Sequence, residues 1–153
     1  MMRPCLLLLV GLVLVFPAAA QEARPAKQAE RPGVRFESVE VYLDSGGVPL
    51  AAYQFEFVAD PERVKIVGIE GGEHAAFRQP PYYDPAALMH NRAIIAAFST
   101  ARDLPRGRTR VSRLHVQVTG EGRPDYAVKL SVAASADGKR VPAEVSLGQG
   151  GEP

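Results

Sequence analysis

Residues 46–70 have the sequence GGVPLAAYQFEFVADPERVKIVGIE, which predicts two β-strands joined by a tight corner. In the first strand Tyr53, Phe55 and Phe57 alternate with polar side chains, the pattern of a strand with one buried, aromatic face. The Asp60-Pro61 pair predicts the corner, because proline fixes its own φ and aspartate bonds to nearby main-chain amides. We therefore expect a domain built from β-sheets.

The same period of two continues along the chain and predicts further strands at residues 36–43, 93–98, 108–118, 126–132 and 141–147. Asp137-Gly138 predicts a hairpin before the last of them. At least seven short strands with little helix are typical of an antiparallel β-sandwich. One long loop, residues 70–92, separates the third strand from the strand at 93–98. The expected core residues are Val41, Leu43, Tyr53, Phe55, Phe57, Ile66, Ile95, Leu114, Val116, Val128 and Leu130.

The N-terminus has the features of a secretory signal peptide, residues 1–20. Arg3 supplies a positive charge, residues 6–16 are apolar, and three alanines precede the expected cleavage site before Gln21. A retained membrane anchor is the alternative, although the apolar run is shorter than the roughly 20 residues that a spanning helix needs. Lipidation is not expected, since the single cysteine, Cys5, lies before the apolar run. The protein is therefore predicted to be exported, to the periplasm or to the cell surface, with no permanent membrane span.

The remaining chain is expected to form one domain. Residues 21–33 are rich in Ala, Pro, Gln and charge, which predicts a disordered spacer. The domain follows at residues 34–147, and residues 148–153 are expected to be a flexible tail. Without Cys5 the mature domain has no disulfide, so its core alone must hold it together.

The charge balance argues against a nucleic-acid partner. Loss of Arg3 with the signal leaves 17 basic and 17 acidic residues, whereas nucleic-acid binding normally needs a basic excess on one face. The one basic cluster is interpreted as a solvated loop and strand face. It comprises Arg102, Arg106, Arg108, Arg110 and Arg113.

The sequence has no catalytic signature. Its three histidines match no zinc-binding spacing, no serine lies in a Gly-x-Ser-x-Gly elbow, and no Asp-rich loop supplies the oxygens that Ca²⁺ requires. We therefore expect no enzyme activity, no cofactor and no metal. A small envelope hydrolase is kept only as a third hypothesis.

The order of the segments resembles the cohesin domain and related carbohydrate-binding-type β-sandwiches. Ala52-Tyr53-Gln54-Phe55 is followed by Asp60-Pro61, and then by strands with the sequences IVGI (66–69), IIAAF (94–98) and RLHVQV (113–118). The resemblance covers most of the domain and implies a jelly roll of about nine strands. It also implies a non-catalytic module that recognises another exported protein, as in scaffolding or adhesion. A carbohydrate-binding module that takes a polysaccharide is the alternative.

Two pairs of residues are candidates for partner binding. Tyr82 and Tyr83 lie in the long loop beside two prolines, where they can stack on a sugar ring or on another protein. The alternative for this loop is that it folds back and caps one end of the sandwich. Arg113 and His115 alternate with Leu114 and Val116, which places them on the outer surface of a strand.

Overall fold

The computed structural model describes residues 33–90 and 92–149, without the side chain of Gln149. The predicted signal peptide, the spacer before Gly33 and the last four residues of the predicted tail lie outside the described residues. No helix within 33–90 or 92–149 is long and apolar enough to cross a membrane. The strands are β1 (Val34–Asp44), β2 (Ala52–Ala59), β3 (Val64–Gly71), β4 (Tyr82–Tyr83), β5 (Arg92–Phe98), β6 (Arg108–Thr119), β7 (Tyr126–Ala134) and β8 (Glu144–Gln149).

The eight strands form two antiparallel sheets of four strands each. Sheet A has the order β3-β6-β1-β8, and sheet B has the order β4-β5-β2-β7. Successive strands lie in opposite sheets, except for β4 and β5, which are neighbours in sheet B. This all-β architecture is consistent with the predicted β-sandwich. The expectation of about nine strands is wrong for the described residues, which contain eight.

The core lies between the two sheets and follows from the alternation of apolar residues. In β2 the inward residues Tyr53, Phe55 and Phe57 are at most 2% exposed, while Gln54 and Glu56 between them are half-buried on the other side. Strand β6 likewise buries Leu114, Val116 and Val118 completely. Burial of an apolar side chain of this size contributes roughly 1.5–3 kcal/mol, so this alternation fixes which face of each strand turns inward.

Three predicted core residues, Ile66, Val128 and Leu130, are only half-buried. Ile66 lies on β3 and the other two lie on β7, and both strands are sheet edges. An edge strand has a neighbour on one side only, so its inward side chains stay partly open to solvent. Conversely, several buried residues are absent from the expected core, among them Leu50, Phe77 and Val111.

The long loop is more structured than its sequence indicates. It contains a short 3₁₀ helix, Ala75–Phe77, the two-residue strand β4 and one α-helical turn, α1 (Pro85–Leu88). The Phe77 side chain is buried and meets the Tyr53 ring edge-on at 5.1 Å between centroids. The loop therefore covers the core on the side of β3 and β4.

The chain after β7 departs from a simple hairpin. Residues 135–139 make a tight turn in which Gly138 has φ of 77°, and Ala134 bridges Arg140 beyond it. The chain then crosses to sheet A, where β8 pairs with β1 rather than with β7. Strand β8 runs to Gln149 and so includes the first two residues that the sequence assigned to the flexible tail.

Candidate functional site

The outer face of sheet A carries a connected set of polar side chains, which we call the polar face: Glu40, Tyr42, Glu70, Arg113 and His115. Its centre is Glu40, which is 8% exposed. Arg113 donates to the Glu40 carboxylate from Nη2 at 2.6 Å and from Nε at 3.2 Å. Tyr42 donates its hydroxyl to the same carboxylate, and Arg110 Nε lies 3.6 Å from it. The buried charge is thus both paired and hydrogen-bonded, as burial of a charge requires.

This arrangement alters the ionisation of Glu40. The hydrogen bond from Tyr42 holds the pKa of Glu40 below its usual value, with support from Arg113, whereas burial opposes the change. The same hydrogen bond raises the pKa of Tyr42, since losing the phenolic proton would remove the donor. Glu40 is therefore held ionised in the folded protein.

His115 and Arg113 lie in adjacent rows of this face and share one partner on β3. His115 Nε2 is 2.8 Å from Glu70 Oε1, and Arg113 Nη1 is 3.9 Å from Glu70 Oε2. Gly68 lies beside the His115 ring. A Cβ atom added to Gly68 would lie 3.4 Å from His115 Cδ2. Both candidate residues are thus on the outer surface, as predicted, but both are engaged by carboxylates of the same sheet. The sequence predicts a solvated arginine cluster. Two of its members, Arg110 and Arg113, instead lie against the Glu40 carboxylate.

The outer face of sheet B carries two exposed aromatic rings that lie side by side. Tyr82 is 71% exposed and Phe98 is 66% exposed. Their rings are nearly parallel, with planes 6° apart and centroids 6.4 Å apart. Tyr82 pairs with Ala96 in the β4–β5 ladder, so it lies on the same face as Ala96 and Phe98. The two rings form one exposed aromatic unit.

Small apolar side chains continue this surface across the sheet. The register places Ala96, Gln54 and Val132 in the row of Tyr82, and Ala52 in the row of Phe98. Val132 is 45% exposed. An ion pair between Arg92 and Glu56, at 3.0 Å, lies farther along β5 and β2. We call the set Tyr82, Phe98, Ala52, Ala96 and Val132 the aromatic face.

Prolines set the position of the two tyrosines. Pro80 and Pro81 precede β4 and lack the amide donor that a longer ladder would need. Asp84 follows β4 and caps α1, accepting a hydrogen bond of 2.9 Å from the Ala86 amide. The tyrosines were expected in an irregular loop, but they form a strand of two residues. Successive strand residues point to opposite faces, so Tyr83, opposite Ile95, does not share the aromatic face with Tyr82.

Phe98 is the functional candidate that the sequence analysis missed. The sequence places it at the end of an apolar strand, residues 93–98, with no sign of its partner. Alternation within that strand buries Ala93 and Ile95 completely and leaves Phe98 on the outer side. Alternation from the inward Ile95 predicts that Phe98 faces outward, and a large aromatic side chain at an outward position indicates a candidate binding residue.

The described residues contain no group of three or more His, Cys, Asp or Glu side chains placed to hold a metal ion. Comparison with known protein families, with curated proteins and with solved structures gave no match. The class of protein is therefore defined by its architecture, an all-β fold of two four-stranded antiparallel sheets.

Proposed function

We propose that this protein is an exported, non-catalytic binding module that recognises another exported protein through the aromatic face of sheet B. The observation that carries the proposal is the parallel pair of Tyr82 and Phe98, each about two-thirds exposed. Exposed apolar patches on small proteins commonly mark interaction sites, and aromatic residues dominate the energetic centres of interfaces.

The polar face is the less favoured surface because its groups already bind one another. A partner that used Arg113 or His115 would have to compete with Glu40 and Glu70 for them. Removing a buried pair's partner is costly, so such competition weakens binding. The aromatic face requires no such exchange, since only water is displaced from it.

A carbohydrate-binding module is the second candidate, and the parallel aromatic rings are the observation that favours it. Sugar rings stack on aromatic faces, but their hydroxyl groups also need hydrogen-bonding side chains. The neighbours of the aromatic pair are mainly alanine and valine, with Gln54 as the polar group in the row of Tyr82. This composition suits the apolar centre of a protein interface better than a glycan site.

The finer fold assignment belongs to the same proposal. We infer a cohesin-like jelly roll, supported by the passage of the chain between the two sheets at all but one of its strand connections. The order of segments around Tyr53 and Asp60-Pro61 supports the same assignment. A scaffolding or adhesion role follows from that resemblance.

The class of ligand is tested by capture from the secreted and envelope fractions, followed by affinity measurement with the purified captured protein and with a polysaccharide panel. The proposal predicts saturable binding of a captured protein and no binding of the polysaccharides. Saturable binding of a polysaccharide without a protein partner would establish the second candidate instead.

Export is tested separately by N-terminal sequencing of the mature protein. Cleavage after the three alanines predicts Gln21 as the first residue. Recovery of the intact chain from Met1 in a membrane fraction would contradict export with cleavage.

A further inference from the structure

The sandwich has two sides along which an edge strand of one sheet faces an edge strand of the other. The chain covers the core to different extents on these two sides. On the side of β3 and β4, Phe77 and Ala87 are buried and Leu88 packs on the core, so the loop covers this side. On the other side β7 ends sheet B and β8 ends sheet A. Within residues 33–90 and 92–149, the segment after the 135–139 turn covers only one end of the cleft between β7 and β8, where Val141 is buried and donates its amide to the Ala133 carbonyl at 2.8 Å. We call this cleft the seam.

The seam is only half-closed. On each of its two sides, apolar side chains occupy every second position, and all of them are partly exposed while packing on the core. They are Tyr126, Val128 and Leu130 before the 135–139 turn, and Ala143, Val145 and Leu147 after it. Two cavities lie along the seam. One, of about 250 Å³ beside Tyr126 and Leu147, is also lined by Glu37, Arg123 and Asp125, and the other, of about 330 Å³, lies beside Leu130 and Ala143.

Two polar features of the seam point to the same kind of occupant. Strand β7 is paired along one edge by β2, and only its last residues meet the 135–139 turn on the other edge. The second edge from Tyr126 to Val132 therefore offers main-chain donors and acceptors to a further strand. In addition, the Tyr126 hydroxyl is buried and has no hydrogen-bond partner among the described residues. A buried hydroxyl of this kind is normally satisfied by a partner.

We infer that the seam accepts an extended strand from a partner protein, added to the free edge of β7. The edge supplies the main-chain hydrogen bonds. The cavity beside Leu130 and the half-buried apolar side chains of the seam take apolar side chains at alternate positions, the usual division of roles in strand addition. Arg140 lines the cavity at the Leu130 end, so the strand carries an acidic residue where it meets that end. This surface is separate from the aromatic face, although both belong to sheet B.

The test is selection of peptides from a phage-displayed library of random peptides of about ten residues, the length of a long strand. The bait is the full chain with Tyr82→Ser and Phe98→Ser, which removes the aromatic face from the selection. Selected peptides are expected to share apolar residues at every second position. Hydrogen exchange with bound peptide is expected to slow at the amides of residues 127–131.

A blocking variant and a matched control localise the binding. Ala143→Phe fills one cavity and should weaken peptide affinity by about tenfold or more. Ala127→Phe, at an exposed outward position of β7, should leave the affinity unchanged. Hydrogen exchange of the buried strand β6 reports whether either variant disturbs the fold.

Three results would overturn the inference. The first is no enrichment of peptides, and the second is protection of a strand other than β7. The third is unchanged affinity for the Ala143→Phe protein. Concentration-dependent protection of β7 without any peptide would assign the edge to a second copy of this chain, which also contradicts a foreign strand.

Discussion

The Tyr53 hydroxyl donates a hydrogen bond of 2.9 Å to the main-chain carbonyl of Val111, and this bond joins the two sheets through the core. Tyr53 lies on β2 of sheet B, whereas Val111 lies on β6 of sheet A. Val111 is the residue skipped by the β1–β6 register, in which Val41 pairs with Ser112 and Tyr42 with Arg110. Because of this irregularity in β6, the Val111 carbonyl is available to accept the hydrogen bond from Tyr53. Burial of the Tyr53 hydroxyl raises its pKa.

Tyr53→Phe is therefore expected to destabilise the protein even though the ring remains. The change leaves the buried Val111 carbonyl without its donor, which costs about 1–3 kcal/mol. Urea unfolding measures the loss, and Tyr82→Phe serves as the control because Tyr82 is largely exposed. Equal stability of wild type and Tyr53→Phe would show that the bond between the sheets contributes nothing.

Gly71→Ala is expected to disturb the attachment of the long loop. A Cβ atom on Gly71 would lie 2.3 Å from the Arg78 carbonyl oxygen and 2.4 Å from that of Gln79, too close for backbone to accommodate without a shift. Forcing an extra carbon into such a packed position costs about 1–3 kcal/mol. Thermal or urea unfolding checks this against Gly47→Ala, whose added carbon meets nothing within 4 Å. Indistinguishable stabilities of the two variants would contradict the close approach.

The polar face predicts a dependence of stability on pH. Glu40 has a lowered pKa in the folded state, so its contribution is present above its unfolded pKa and is lost as the pH falls through the folded value. Glu40→Gln should reduce stability by about 1–3 kcal/mol near pH 7. The difference from wild type should shrink as the pH falls below the usual carboxyl value of 4.5.

Unfolding curves from about pH 7 to about pH 3 measure this difference. The exposed Glu62, changed to Gln, is the control, and its difference from wild type should stay small throughout. A Glu40→Gln deficit that persisted undiminished in acid would contradict a role for the ionised carboxylate.

Much of the fold could be predicted from local sequence, since alternation of Tyr53, Phe55 and Phe57 determines which side of β2 is buried. Pairing between distant strands could not. The position of β7 at an edge is a property of the whole sheet, so the half-burial of Val128 and Leu130 had no local signal. The burial of Phe77 similarly depends on the close approach of the loop at Gly71.

The candidate site was only partly predictable for the same reason. The place of Tyr82 beside two prolines made it a candidate for binding but left open a loop folded back on the sandwich, and its stacking on Phe98 requires β4 to pair with β5. The outward direction of Arg113 and His115 followed from alternation within β6. Their carboxylate partners lie 73 and 45 residues away in the chain, on β1 and β3, and only the assembled sheet brings them together.

The central claim is that a partner protein binds the aromatic face. It is tested most directly by the dissociation constant of the captured partner for two double variants, Tyr82→Ala with Phe98→Ala, and Arg113→Ala with His115→Ala. Loss of an aromatic hot spot is expected to weaken binding by 2 kcal/mol or more, roughly thirtyfold, whereas the polar-face variant should bind nearly as wild type. Because Arg113→Ala removes a partner of the buried Glu40, urea unfolding first establishes that this variant is folded. Wild-type affinity of the Tyr82 and Phe98 variant, with loss of binding by a folded Arg113 and His115 variant, would contradict the claim and move the interface to sheet A.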